Sequence, residues 1–425
     1  MSNTETAAGS PAALVLAGQD EIKEWQEAVY RRLHQHPELS NEEVKTAAAA
    51  ADALREAGYQ VHDKIGTTGV VGILHNGAGP TVLMRADMDA LPMKEETGLP
   101  YASTNLATDG LGQEVPVAHS CGHDVHVASL MGAARLLAAN RSAWHGTFVP
   151  LFQPAEEAGT GAAEMIQGGL ATLIPKPHVA LAQHVLAYPA GTVGTHGGPF
   201  LSTAASMRVR VHGRGGHGSM PQLSIDPVVL AAMIVVRLQA IVAREVAPDD
   251  FAVLTVGRVA AGAKSNIIPN HAVIELNIRA YDEGTRTQLI DAVKRVVKGE
   301  CSASGSPRDP EFELYDEYPL TSNDPEVTAK VASAFREYFG ERAGAAPRQS
   351  ASEDFSQIPN ALGVPYTYWA LGGIDPKQWS EAEAAGRIAS DIPANHSPKF
   401  APVMEPTLKT GTAAIVVAAL SWLAS

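Results

Sequence analysis

Apolar residues along the chain follow two rhythms, and one gives way to the other near residue 200. Before that point, "PTVLMRADMDALP" (80–92), "GTFVPLFQPAEE" (146–157) and "PHVALAQHV" (177–185) each contain a short unbroken apolar run. Such runs predict strands buried on both faces of a mostly parallel sheet. Between them, "HVASLMGAARLLAAN" (126–140) sets Leu130, Ala134 and Leu137 on one face at helical spacing. Upstream, "EWQEAVYRRLHQHPELSNEEVKTAAAAADALREAGY" reads as two helices, the second opened by Ser40 with Glu43 as a capping box. Strands alternating with helices predict an α/β domain whose crossover helices cover the sheet.

Beyond residue 200 the pattern becomes a strict alternation. In "ASMRVRVHG" (205–213) Met207, Val209 and Val211 face one way, and Arg208, Arg210 and His212 the other. "AVIELNIRAYD" (272–282) does the same with Ile274, Leu276 and Ile278, the signature of a sheet with one wet face. "DPVVLAAMIVVRLQAIVARE" (226–245) starts with Asp before Pro, a good helix opening, and "TRTQLIDAVKRVVKGE" (285–300) follows as a second helix. Residues 201–311 are therefore expected to form a smaller α+β insert, hinged at "GTHGGPFLS" and "SASGSPRDPEF". The larger domain would comprise residues 19–200 and 312–425, with 1–18 as a disordered tail. "TAAIVVAALSWLA", near the C-terminus, is too short to span a bilayer and predicts a buried helix.

Composition narrows the function. A chain of 425 residues exceeds what one hydrophobic core usually serves, which supports two domains. The net charge of −14 and the lack of any basic run argue against nucleic acid. Two cysteines give no disulfide framework, and the first 18 residues lack the basic start of a signal peptide. A soluble, cytoplasmic protein is expected.

One of those two cysteines lies in "AHSCGHDVHV" (118–127), amid three histidines and an aspartate. Ligands of open α/β sheets bind at the carboxyl ends of strands. Each apolar run ends in residues suited to a metal: Asp87 and Asp89, Glu156 and Glu157, and His184. Cys121 and His123 precede a helix, where a turn can converge them, and "PANHSPKF" offers His396. Any one of these has a plainer reading, as a helix cap, a solvated turn or a core histidine. Together they exceed one tetrahedral zinc and suit a two-metal hydrolytic site. His34 and His36 read as core or helix-end histidines, and His126 as a neighbour of ligands.

In order along the chain, "RADMDALP", "HSCGHDVH", "FQPAEEAGTGA", "GRGGHGSMP", "GAKSNIIPNHAVIELNIRAYDE", "SASEDFS" and "NHSPKF" resemble the M20 peptidase superfamily. The similar branch is that of N-acyl-amino-acid amidohydrolases: hippurate hydrolases, aminoacylases and auxin-conjugate hydrolases. The resemblance runs from about residue 25 to the end. It implies a catalytic α/β domain interrupted by a lid or dimerisation domain, and hence a homo-oligomer. It also implies metal ligands at Cys121, His123, Glu157, His184 and His396, with Glu156 as catalytic base and Asp89 orienting a metal-site group. The wider superfamily has a ligand histidine where this chain has Asp87, and a bridging aspartate where it has Cys121. His217 matches the oxyanion donor on the lid, while Asn266 and Arg279 match positions that grip the product carboxylate.

The implied reaction is hydrolysis of an N-acyl amino acid to a carboxylic acid and a free amino acid. Two divalent ions would activate water, and Glu156 would take its proton and return it to the leaving amine. A thiolate favours zinc, while carboxylate and imidazole also accept manganese or cobalt. The alternatives are a metallo-dipeptidase or carboxypeptidase of the same superfamily, and a non-catalytic metal- or ligand-binding relative. The intact Glu156 argues against the last.

Overall fold

The three unbroken apolar runs become neighbouring central strands of one eight-stranded sheet. The computed structural model describes residues 9–424. The strands lie in the order Gln60–Ile65, Gly69–Asn76, Gly146–Gln153, Thr81–Asp87, Val179–Pro189, Tyr366–Ile374, Val193–Thr195 and Ala343–Ala345. The middle four run parallel, with antiparallel neighbours at one side and a mixed pairing at the other. Thr81–Asp87 and Gly146–Gln153 are buried along their whole length, which is why they carry no polar alternation. The helices His123–Ala139 and Met404–Leu423 pack on each other and on this sheet, and both are buried nearly all round. By length and composition Met404–Leu423 could cross a membrane, but most of it lies inside the core.

Two expectations for the N-terminal region are corrected. A disordered tail is expected to residue 18; residues 1–8 lie outside the described residues, but Pro11–Leu16 is a helix. Ser10 Oγ accepts from Ala13 N–H, and Val15 and Leu16 are buried in the main core. The stretch is apolar but short, and its stabilising contacts come from residues far along the chain. The capping box at Ser40 and Glu43 does not form either. The helix Val44–Glu56 has its first free amides, Lys45 and Thr46, bonded to the Glu38 carboxylate instead. Ser40 and Glu43 turn elsewhere.

The strands and helices above belong to a first unit, made of residues to Gly198, Ser322–Pro347 and Asp354 onwards. The second unit is Pro199–Thr321 with Arg348–Glu353. Its sheet is antiparallel, in the order Ala252–Ala261, His271–Ala280, Thr203–His212 and Glu311–Tyr318. Met207, Val209, Val211, Ile274, Leu276 and Ile278 face a core closed by the helices Pro227–Glu245 and Glu283–Ala303. Asp226 caps the first of these by accepting from Val228 N–H, with Pro227 in the opening turn. The boundary expected at residue 311 falls at the start of the fourth strand. Its sequence "EFELYDEY" hides Phe312 and Leu314 among acids, so the stretch before it joins two elements of this unit rather than serving as a hinge.

Candidate metal centre

The centre is assembled from strands, the turns after them, one helix start and one loop. Thr81–Asp87 delivers Asp87 and then Asp89, Gly146–Gln153 leads to Glu156 and Glu157, and Val179–Pro189 carries His184. Cys121 and His123 converge because Gly122 between them has φ +84° and opens the helix. A Cβ there would sit 2.4 Å from Val185 Cγ1, so the position takes only glycine without rearrangement. His396 arrives from the loop before the last helix, its N–H bonded to Ser120 O at 2.8 Å.

The structure brings all five of these expected ligands together. His184 Nε2 lies 3.5 Å from Cys121 Sγ, and His396 Nε2 lies 3.3 Å from Glu157 Oε1. His123 Nε2 is buried and makes no hydrogen bond, yet carboxylate oxygens of Asp87, Glu156 and Glu157 stand 3.7, 3.8 and 3.9 Å away. Donors that share one ion at about 2.0–2.3 Å stand roughly 3–4 Å from each other. Two overlapping groups of side chains bring donor atoms close to one point: Cys121, His123 and Glu157; and Asp87, His123, His126 and His184, of which His126 has both nitrogens already hydrogen-bonded.

The electrostatics agree with this spacing. Hydrogen bonds that the protonated His396 donates to Cys121 and Glu157 draw it up to about 10. Burial resists charge on His123, but Asp87, Cys121 and Asp89 hold it well above the ordinary histidine value. Burial, with Glu157 alongside, pushes the Cys121 thiol up, a shift that a bound cation reverses. His184 is kept neutral by burial and by His126 beside it, the form a metal requires. The donors present therefore fit divalent metal.

Around the ligands lies a set of orienting contacts. Asp89 Oδ1 sits 3.3 Å from His123 Nδ1, leaving Nε2 to the cluster, and its Oδ2 accepts from Ser40 Oγ and Glu157 N–H. His184 Nδ1 donates to Val185 O, and Asn395 Nδ2 donates to Cys121 O and Val185 O. His126 takes Val185 N–H on Nε2 and gives Nδ1–H to Asp87 at 2.5 Å, so both its nitrogens are engaged. Asp87 is also bonded to the fully buried Arg85. Burial pushes its carboxyl up, but Arg85, with His123 and His126, holds it well below the usual range. Arg85 also reaches Gln153 and Asp354, and Asp354 takes the Ala162 N–H.

Sequence reasoning did not select Arg85, Gln153, Asp354 or Asn395. All four stand inside the motifs "RADMDALP", "FQPAEEAGTGA", "SASEDFS" and "NHSPKF", yet only tertiary contacts reveal their partners. His34 is more than a core histidine. It bridges Asp124 at 2.6 Å and Glu95 at 3.1 Å, and these carboxylates raise it to about 10 against the opposing effect of burial. His36 is exposed at the helix end. His119 is buried with neither ring nitrogen hydrogen-bonded, and burial drops it to about 4.

The remaining candidates lie in the second unit. His217 is exposed on the short strand Gly216–His217, with Nδ1 2.7 Å from Ser219 Oγ. Asn266 is its neighbour, since Gly218 N–H donates to Asn266 O across the pairing with Ile267–Ile268. Arg279 is near the far end of His271–Ala280, half-buried, donating to Asn277, Ser350 O and Ser352. Eight residue steps at about 3.3 Å each put it roughly 26 Å along that strand from His271.

Comparison with known proteins gives the same picture. The model of "Peptidase family M20/M25/M40" matches residues 83–393. Thermostable carboxypeptidase 1 of Saccharolobus solfataricus is 35% identical over 95% of this chain and 96% of its own length. Hippurate hydrolase of Campylobacter jejuni is 36% identical over 74% of this chain and 79% of its own. A solved structure, the Bacillus subtilis YXEP protein, a dinuclear metal binding peptidase from the M20 family, matches with a TM-score of 0.76. It is 26% identical and covers 94% of this chain and 98% of that one.

Proposed function

The chain belongs to peptidase family M20/M25/M40, and from that premise and its buried donor cluster we propose that it hydrolyses N-acyl amino acids. Metal-dependent hydrolysis of an amide bond is what the family and the cluster support together. The carrying observation is the pair of adjacent glutamates. Glu157 reaches His123 and His396, whereas Glu156 touches the edge of the cluster through His123. The second contact of Glu157, to His396, supports its reading as the metal-holding carboxylate and leaves Glu156 as the one to hold a proton.

Cys121, His123, Glu157, His184 and His396 would hold two divalent ions, zinc first, with manganese or cobalt as alternatives. Such ions supply Lewis acidity to the amide carbonyl and acidity to water. Glu156 accepts the proton of the attacking water and returns it to the amide nitrogen as the C–N bond breaks. Asp89 keeps the His123 ring directed at the cluster. Asn266 and Arg279 grip the carboxylate of the amino-acid half, and His217 donates to the oxygen that gains charge. The two buried thiols, one in each unit, suit a reducing cytoplasm.

The acyl-amino-acid reading draws support from the hippurate hydrolase and from a Bacillus subtilis N-acetyl-L-cysteine deacetylase, 37% identical over 81% of this chain. The carboxypeptidase at 35% identity favours a second reading, in which the acyl group is itself a peptide. A metal-loaded assay on acetyl-, benzoyl- and long-chain-acyl amino acids, with dipeptides alongside, decides between them. Turnover confined to the peptides would overturn the first reading.

A second copy of the chain completes the proposal. On the helix Pro227–Glu245, Val228, Val229, Met233 and Val236 are exposed while the opposite face fills the core. The strand Ala252–Ala261 beside it pairs on one edge only among the described residues. An apolar face next to an open strand edge suits a two-fold partner. With Asn266 and Arg279 toward opposite ends of the antiparallel sheet, a single carboxylate would be served by Arg279 of one copy and Asn266 of the other, whose neighbour His217 would then also act in trans. Mixing Glu156→Gln with His217→Ala subunits should then restore roughly a quarter of wild-type activity. Mixed dimers no better than either parent would place His217 in cis or outside the reaction.

A further inference from the structure

Ser40 and Glu43, which the sequence offers as a helix cap, both connect to the segment that carries Glu156 and Glu157, Glu43 directly and Ser40 through Asp89. Ser40 Oγ donates to Asp89 Oδ2 at 2.6 Å, the same oxygen that accepts from Glu157 N–H at 2.9 Å. Glu43 is fully buried, and its Oε1 accepts from Ala155 N–H at 2.8 Å and Asn41 N–H at 2.9 Å. Thr68 Oγ1 donates to the other oxygen at 2.6 Å. The helix Val44–Glu56 does not need this carboxyl, because Glu38 satisfies its first amides.

Ala155 has φ +48° and is fully buried. A side chain with a Cβ does not favour this left-handed conformation, so the surroundings must impose it. On the carbonyl side, Ala155 O accepts from Thr160 and Gly161 N–H. Gly161 lies so close that a Cβ on it would fall 1.6 Å from Pro154 O. On the amide side the holding contact is Glu43.

We propose that Glu43 is a positioning residue: by gripping the Ala155 N–H it holds the left-handed turn that aims Glu156 at the cluster. The inference rests on the reading of Glu156 as the base. Glu43 touches neither substrate nor metal ligand, so its loss acts on the direction of Glu156 and therefore on kcat.

The test is steady-state kinetics and metal analysis of Glu43→Ala and Glu43→Gln, on the substrate that the wild type turns over fastest. Glu43→Ala should lower kcat about 10- to 100-fold, the scale of a displacement near 1 Å, while KM and bound metal stay at wild-type values. Glu43→Gln keeps an acceptor oxygen for both amides and should retain activity. Should Glu43→Ala yield no folded protein, Glu43→Asp replaces it: the carboxylate is kept but withdrawn from Ala155, and the same loss in kcat is expected. The assignment is overturned if folded Glu43→Ala or Glu43→Asp is fully active. It is equally overturned if Glu43→Gln falls as far as Glu43→Ala, or if kcat falls only in step with metal. Glu156→Gln measured alongside separates the two ideas. An active Glu156→Gln defeats the general-base reading, whereas an inactive one beside an active Glu43→Ala defeats only the positioning role.

Discussion

The two sheets of this protein handle charge in opposite ways. In the eight-stranded sheet, Arg85 and Asp87, with Asp89 just past the end of their strand, are almost wholly buried. In the four-stranded sheet, Arg208 and Arg258 share Glu275, and Arg208 also meets Glu313 and stacks on Tyr315, all on the wet face. A buried charge must be paired or it costs several kcal/mol, so each member of the first group is held by named partners. The exposed group is solvated whether or not its pairs form. Charge that a fold maintains against that cost needs a fixed set of partners, and charge on the wet face does not.

The comparison breaks most visibly through activity. Glu156→Gln should cut turnover on the order of 10²–10⁴-fold with metal content kept, whereas Glu275→Gln should leave turnover unchanged. Glu157→Gln, by contrast, should lose metal. If Glu156→Gln lost metal and Glu157→Gln kept it, the two roles would be exchanged. Next in size is the contrast between the cysteines. Cys121→Ser should weaken metal binding by more than the ~10–100-fold typical of losing an outer partner of a ligand. Cys301→Ser, in the core of the other unit, should bind metal as the wild type does. Equal metal content in both variants, by elemental analysis after dialysis, would remove the thiolate from the site.

Stability gives the third test. Arg85→Met strands Asp87 in the interior and should cost about 3–5 kcal/mol in denaturant melts, while Arg258→Met should cost about 0.2–1 kcal/mol. Similar losses would mean that burial does not separate the two sheets energetically. The smallest effect concerns pH. His34 has a folded-state pKa of about 10, above its unfolded value of about 6.5, so its ion pairs contribute fully below pH 6.5. That contribution, a few kcal/mol at most, should fade as pH rises toward 10. The stability gap between wild type and His34→Asn should narrow over that window; a gap that widened would reverse the sign.

These contrasts also explain what could be read before the structure. The alternation at Met207, Val209 and Val211 follows from a period of two with one face dry, and all three are buried as expected. Cys121, His123, Glu157, His184 and His396 stood out as metal-binding residue types at strand ends or in loops, and the structure gathers them. Glu43 was misread because the local cap competes with a bond to Ala155, more than a hundred residues away, and no local pattern reports that. Arg85 was passed over for the same reason: in sequence it is one charge in an apolar strand. The helix Pro11–Leu16 needed the distant Met404–Leu423 to bury it.

The parallel pairing of Val179–Pro189 with Tyr366–Ile374 has a consequence for synthesis. The second unit is encoded between these two strands, so roughly 180 residues must leave the ribosome before the first finds its partner, a delay of ~9–35 s at ~5–20 residues per second. During that interval an almost wholly apolar strand has one open edge, the kind of surface that recruits other nascent chains. His396 emerges later still. The full set of proposed metal donors would therefore exist only after both strands have emerged, so metal bound by all five could lock the fold only late in synthesis.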